Sequence, residues 1–121
     1  MNDSVKLDRV LLRPDTPILD AMRILNAQSH GEQFLVVVDE RSCLLGTLTD
    51  GDIRRALLDG KGLKCLASEV MVSDPISLPV DTDHKTVFGK LDQRVRIIPL
   101  LDDDGRLVDY ATSNRPHQIP V

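Results

Sequence analysis

A chain of 121 residues, 41% hydrophobic and 28% charged, has the size of one ordinary domain or of two half-size units sharing a core. Its formal charge of -4 argues against a general binder of nucleic-acid phosphates, and three aromatic residues (Phe34, Phe88 and Tyr110) are too few for a platform that stacks single-stranded bases. No apolar run reaches the length of a membrane span, no secretory segment opens the chain, and Cys43 and Cys65 form neither a disulfide framework nor a CxxC pair; no membrane partner and a cytoplasmic location are expected.

Val10-Leu11-Leu12 reads as a short strand. Arg13-Pro14-Asp15-Thr16-Pro17 then turns the chain and opens a helix with Pro17 at its first position, on which Ile18, Ala21, Met22 and Leu25 recur at helical spacing. Ser29-His30-Gly31 breaks that helix. Phe34 to Val38 is a continuous apolar run, as in a strand covered on both faces, and Asp39-Glu40-Arg41-Ser42 is a turn. Leu44 to Thr49 is a half-buried strand that runs through a tight corner, capped by Thr49 or Asp50, into an amphipathic helix. In this helix Ile53, Ala56 and Leu57 share one face while Arg54, Arg55 and Asp59 face away, and Gly60 supplies a left-handed stop.

The same order is then written a second time. Leu78 to Thr82 corresponds to Leu12 to Thr16, an offset of 66 residues; Ile97 to Asp102 corresponds to Phe34 to Asp39 and Leu107 to Thr112 to Leu44 to Thr49, an offset of 63. A helix from about Asp83 to Gln93 lies between them, presenting Val87, Phe88 and Leu91, and Asp102 to Gly105 makes the hairpin turn. One copy alone has a sheet with an uncovered face and too little core. An α+β (mixed α/β) fold follows, two half-modules packed sheet to sheet around a pseudo-twofold axis, with a cleft at each end of their interface.

The corner at Thr49 to Asp52 is the candidate site, because a strand end leading into a helix presents unpaired N–H groups and short polar side chains. A bare phosphate beside Asp50 and Asp52 meets like charge, at about 4 kcal/mol per close pair for an effective dielectric near 20. A ribose diol suits the site better, since one carboxylate accepts from both hydroxyls through charge-assisted bonds of about 1.5 to 3 kcal/mol each before desolvation. Asp52, on the first helical turn, is the better placed acceptor; Thr49 adds a hydroxyl, and Arg54 or Arg55 reaches a phosphate further out. His30, His84 and His117 are scattered without ligand spacing, the Asp102-Asp103-Asp104 run lacks the oxygen spacing of a calcium loop, and no catalytic motif is found. Neither a metal, a required cofactor nor an enzymatic activity is expected of this stretch itself.

Gly46-x-x-Thr49-x-x-Asp52, preceded by Leu35-Val36-Val37-Val38-Asp39-Glu40, resembles the core signature of a CBS (cystathionine β-synthase) domain. The resemblance implies a tandem pair of β-α-β-β-α half-modules, a Bateman module, at residues 8–66 and 67–115. It implies a regulatory role: binding an adenosine nucleotide (AMP, ADP, ATP or S-adenosylmethionine) and modulating an attached enzyme, with a homodimer formed through the helical faces. Thr49 and Asp52 are then the ribose contacts, with a base pocket of backbone and aliphatic groups around Leu11, Leu12, Thr47 and Leu48. Arg96 is a basic residue at the cleft, and Thr112 is the counterpart of Thr49. Phe34 stands near where the family sometimes places a phosphate-binding arginine. In the second copy Asp109 replaces the glycine and Arg115 the acid, so one site per chain is expected; Pro116 removes the last helix, and residues 116–121 read as an extended linker to a downstream domain. The wording from Gly46 to Gly60 further resembles CBS pairs beside bacterial sugar-phosphate nucleotidyltransferases and related sugar-nucleotide enzymes. The competing expectation is a structural or dimerisation module without a ligand, in which Thr49 and Asp52 only cap a helix.

Overall fold

The computed structural model describes residues 7–28, 33–92 and 95–112. Its first half runs β1 (Leu11–Leu12), α1 (Ile18–Ala27), β2 (Phe34–Val38), β3 (Leu44–Thr49) and α2 (Asp50–Leu58). β1 and β2 are parallel, so the chain needs the crossover that α1 provides; β2 and β3 are antiparallel and need only a turn. Pro17 is the N-cap of α1 rather than its first helical residue, because its backbone is extended and its carbonyl accepts from the N–H groups of Asp20 and Ala21. α1 buries Ile18, Ala21 and Leu25. β2 is buried along its whole length: Leu35 and Val37 meet the helices, and Phe34, Val36 and Val38 meet the other sheet.

The second half consists of α3 (Ala67–Val70), β4 (Leu78–Pro79), α4 (His84–Lys90), β5 (Ile97–Leu101) and β6 (Leu107–Thr112), with strand order β4-β5-β6 matching β1-β2-β3. The registers reproduce the offsets seen in the sequence. Leu12 lies opposite Val37 and Leu78 opposite Leu100, and the irregularity at Val37/Val38 recurs at Leu100/Leu101. α4 is shorter than the expected span from Asp83 to Gln93: Asp83 is its N-cap and Leu91, with extended backbone, its C-cap. Gly89 in the last turn explains the early end, since glycine costs roughly 1 kcal/mol against alanine inside a helix. The expected loss of the last helix at Pro116, Arg115 itself, and the linker at 116–121 lie outside the described residues.

The two halves are joined by their hairpin turns. Asp39 Oδ1 accepts from the N–H groups of Arg41 and Cys43, and Asp102 Oδ1 from those of Asp104 and Arg106. The backbone N–H donors of Cys43 and Arg41 hold the Asp39 carboxyl below its ordinary range. Ser42 and Gly105 take equivalent left-handed conformations, φ 69° and 82°. Across the axis the Leu44 N–H donates to the Gly105 carbonyl at 3.3 Å and the Leu107 N–H to the Ser42 carbonyl at 2.9 Å. Each bond is the image of the other under the 63-residue shift, which makes the pseudo-twofold axis a direct observation. Behind the turns Val10, Phe34, Val36, Val38, Leu107 and Tyr110 form the core between the sheets.

After α2 the chain folds back over the first sheet. Ala67 is buried among Ile18, Leu48 and Ile53, and the N–H groups of Ala67 and Ser68 donate to the carbonyls of Thr16 and Pro14. Val72 then exchanges two backbone hydrogen bonds with Thr47, at 3.1 and 2.8 Å. This approach leaves no room for a side chain at residue 46: a Cβ there would lie 2.5 Å from the Val72 carbonyl oxygen and 2.7 Å from Met71 Sδ. Gly46→Ala is therefore expected to destabilise the fold by about 1 to 3 kcal/mol through overpacking. Urea unfolding measures it, and an unchanged midpoint would mean that the 71–72 segment does not press on β3 as described.

Candidate functional site

Thr49 leaves β3 with extended backbone (φ -121°, ψ 168°) and serves as the N-cap of α2. Its Oγ1 accepts from the Asp52 N–H at 3.2 Å, while Asp52 Oδ2 accepts from the Thr49 N–H and the Thr49 hydroxyl, both at 2.9 Å. This reciprocal box satisfies two donors that the helix start would otherwise leave unpaired. Asp52 Oδ1 accepts from Arg55 Nη2 at 2.7 Å. The Asp52 side chain is only 12% exposed, whereas Arg55 is 70% exposed. Arg55 folds back over the first turn, so that a Cβ at Gly51 would lie 3.4 Å from its Nη1. Asp50 is paired with Arg54, both of them exposed. Each carboxylate thus carries its own guanidinium, and the like-charge repulsion expected against a phosphate is offset locally.

A carboxylate offers about four acceptor positions, and three of those on Asp52 are occupied. A diol chelated by Asp52 needs two. One of the present donors must give way, and the Arg55 contact is the cheapest to break, because its guanidinium is mostly in solvent while both Thr49 donors belong to the helix cap.

Strand alternation divides the other predicted residues between two faces. Leu11, Val36 and Thr47 form one row across the first sheet, and Phe34 is the cross-strand neighbour of Thr49; this face looks toward the second sheet. Leu12 and Leu48 lie on the opposite face, in the core beneath α1 and α2, and are 4% and 0% exposed. Of the four residues expected around a base pocket, Leu12 and Leu48 turn their side chains into this core and present only backbone toward the other sheet. Arg96 is exposed just before β5, and Thr112 ends β6 opposite Ile97, so both belong to the second sheet. Thr49, Asp52 and Arg55 are in direct contact, with Arg54 beside them.

Three participants escaped the sequence reading. Tyr110, wholly buried, crosses from the second sheet and packs edge-on against Phe34 with ring centroids 5.1 Å apart, behind the strand end that carries Thr49. Met71 and Val72 clamp β3 from the other side. The available signal for the clamp was Gly46 itself, since a glycine inside a strand marks a close backbone approach. Among the described residues no group of three or more His, Cys, Asp or Glu could hold a metal ion, and no helix is long and apolar enough to cross a membrane.

Comparison with known proteins adds the following. The model of the family described as CBS domain matches residues 4–59 and 67–114. Arabinose 5-phosphate isomerase GutQ of Salmonella typhi is 33% identical over 95 residues, covering 76% of this chain and 28% of that protein. The namesake from Shigella flexneri is 30% identical over 93 residues, covering 74% and 28%. The chain thus spans little more than a quarter of these relatives, and they are isomerases of a sugar phosphate where the sequence suggested a nucleotidyltransferase. The CBS domain pair of MJ0100, solved with 5′-methylthioadenosine and S-adenosyl-L-methionine, superposes with a TM-score of 0.75 at 28% identity, over 88% of this chain and 86% of that one. The cytosolic domain of the Mg2+ channel MgtE in complex with ATP gives a TM-score of 0.73 at 24% identity, over 88% and 42%, a likeness of fold alone.

Proposed function

We propose, on the premise that this chain belongs to the CBS domain family, that it is a regulatory module which binds an adenosine nucleotide at the Thr49–Asp52 corner and passes its occupancy to an attached enzyme. The observation that supports this most is the MJ0100 pair, whose two bound molecules both carry an adenosine ribose. A polarised carboxylate at a strand end is the chemistry that recognises such a diol. On this reading Asp52 accepts from the ribose hydroxyls, Thr49 orients Asp52, and Leu11 and Thr47 lie on the sheet face that borders the cleft. The enzyme attached, by the likeness to GutQ, acts on a sugar phosphate.

A second reading is favoured by the capping box: Thr49 and Asp52 already satisfy one another, as a ligand-free structural module requires. Thermal unfolding separates the two. A ligand at 100 times its dissociation constant adds about 2.7 kcal/mol, which for a domain of this size raises Tm by about 10 °C. AMP, ATP, 5′-methylthioadenosine and S-adenosylmethionine are tested in turn, and a stabilisation of that order by at least one is expected. If none shifts Tm at millimolar concentration, the structural reading stands and the sensor reading does not.

A further inference from the structure

We infer that Arg55 is an internal competitor for the ribose acceptor, and that its release on binding selects ligands bearing an anionic group next to the ribose. The inference rests on the reading of Asp52 as the diol acceptor. Asp52 Oδ2 is held by two donors from Thr49, one of them backbone, and the carboxylate is nearly buried. Among the described residues Oδ1 is held by Arg55 Nη2 alone, from a side chain that is mostly in solvent. Of the three donors only Arg55 can leave without undoing the helix cap. A diol arriving at Oδ1 replaces it, and the displaced guanidinium stays tethered one helical turn away.

The consequence depends on what else the ligand carries. A neutral nucleoside displaces Arg55 and offers it nothing in return. A 5′-phosphate, two carbons from the 3′-hydroxyl, gives the freed guanidinium a charge-assisted partner, which arginine engages through its fork of donors. A 5′-sulfonium, as in S-adenosylmethionine, places a second positive charge beside it. The ligand class favoured is therefore an adenosine phosphate, ahead of adenosine and of a 5′-sulfonium, whose carboxylate lies about three carbons beyond the cation. Arg54 does not share this role, since its partner is Asp50.

Titration calorimetry of adenosine and AMP against the unmutated chain, Arg55→Gln and Arg54→Gln tests this. In Arg55→Gln adenosine binding should tighten about threefold, the competing guanidinium being mostly in solvent, while AMP should weaken about tenfold with the loss of a charge-assisted bond. The ratio of the two dissociation constants should then shift about thirtyfold, with Arg54→Gln moving adenosine affinity little. An unchanged ratio in Arg55→Gln, with both ligands still bound, overturns the competitor role and leaves the diol reading in place. Failure of both ligands to bind the unmutated chain overturns the diol reading and this inference with it.

Discussion

Replacing Tyr110 with alanine is expected to lower the unfolding free energy by about 3 to 5 kcal/mol, the range for truncating a buried aromatic side chain. Domains of this class have about 5 to 15 kcal/mol in total, so the variant retains only part of its stability, and Tm should fall by about 10 to 20 °C. The size of the effect comes from where the ring sits. Tyr110 has no solvent exposure, belongs to β6, and fills the space between the sheets beside Phe34, Val36 and Val38 of the first half. Its edge-to-face contact with Phe34 adds about 0.5 to 1.5 kcal/mol beyond area burial. The symmetric position in the first half is Thr47, since Tyr110 lies opposite Pro99 as Thr47 lies opposite Val36. The bulk at this level of the interface is thus supplied by Tyr110, where its counterpart Thr47 is much smaller. Each half has a core of its own between sheet and helices, but the inner faces of the two sheets are covered by one another, so unfolding should remain a single transition. Chemical denaturation with the two halves probed separately checks both points; a loss under 1 kcal/mol, or two separate transitions, would contradict the shared core.

Much of this architecture was legible because the chain writes it twice. Several elements that depend on their own residues match the expectation: the apolar run Phe34–Val38, the turns built on Asp39 and Asp102, and the corner capped by Thr49 with Gly60 at its far end (φ 98°). The limits of α1 and α4 differ from it at Pro17 and after Lys90. What was not legible depends on partners distant in sequence. α3 has four residues, too few to show a period, and its place beneath the first half is fixed by carbonyls at Pro14 and Thr16. The division of Leu11 and Thr47 from Leu12 and Leu48 follows from strand pairing: a neighbouring residue in a strand faces the other way, so closeness in sequence does not bring side chains to one pocket. The pairing of Arg55 with Asp52 is visible as an i,i+3 spacing, but that spacing alone does not choose between a solvated arginine, a phosphate ligand and a competitor for the acid.

Asp52→Ala should weaken adenosine-nucleotide binding by about 2 to 4 kcal/mol, the worth of two charge-assisted hydrogen bonds discounted for partial replacement by water. That is roughly a 30-fold to 1000-fold loss. The same substitution removes half of the capping box, which should cost the free protein about 1 kcal/mol. The two effects are read separately, one by titration calorimetry and the other by the unfolding midpoint without ligand. Thr49→Ala provides the comparison, because it breaks the cap and leaves the carboxylate: its stability loss should match that of Asp52→Ala while its affinity loss stays smaller. The second repeat supplies the stoichiometry. Offset by 63 residues, the position of Asp52 holds Arg115, and a guanidinium has donors only, so it cannot accept from a diol. About one site per chain is expected, with Arg115→Ala changing its affinity little. Equal affinity losses in Asp52→Ala and Thr49→Ala would assign the effect to the helix cap rather than to a ribose contact, and two sites of similar affinity would remove the distinction drawn between the repeats.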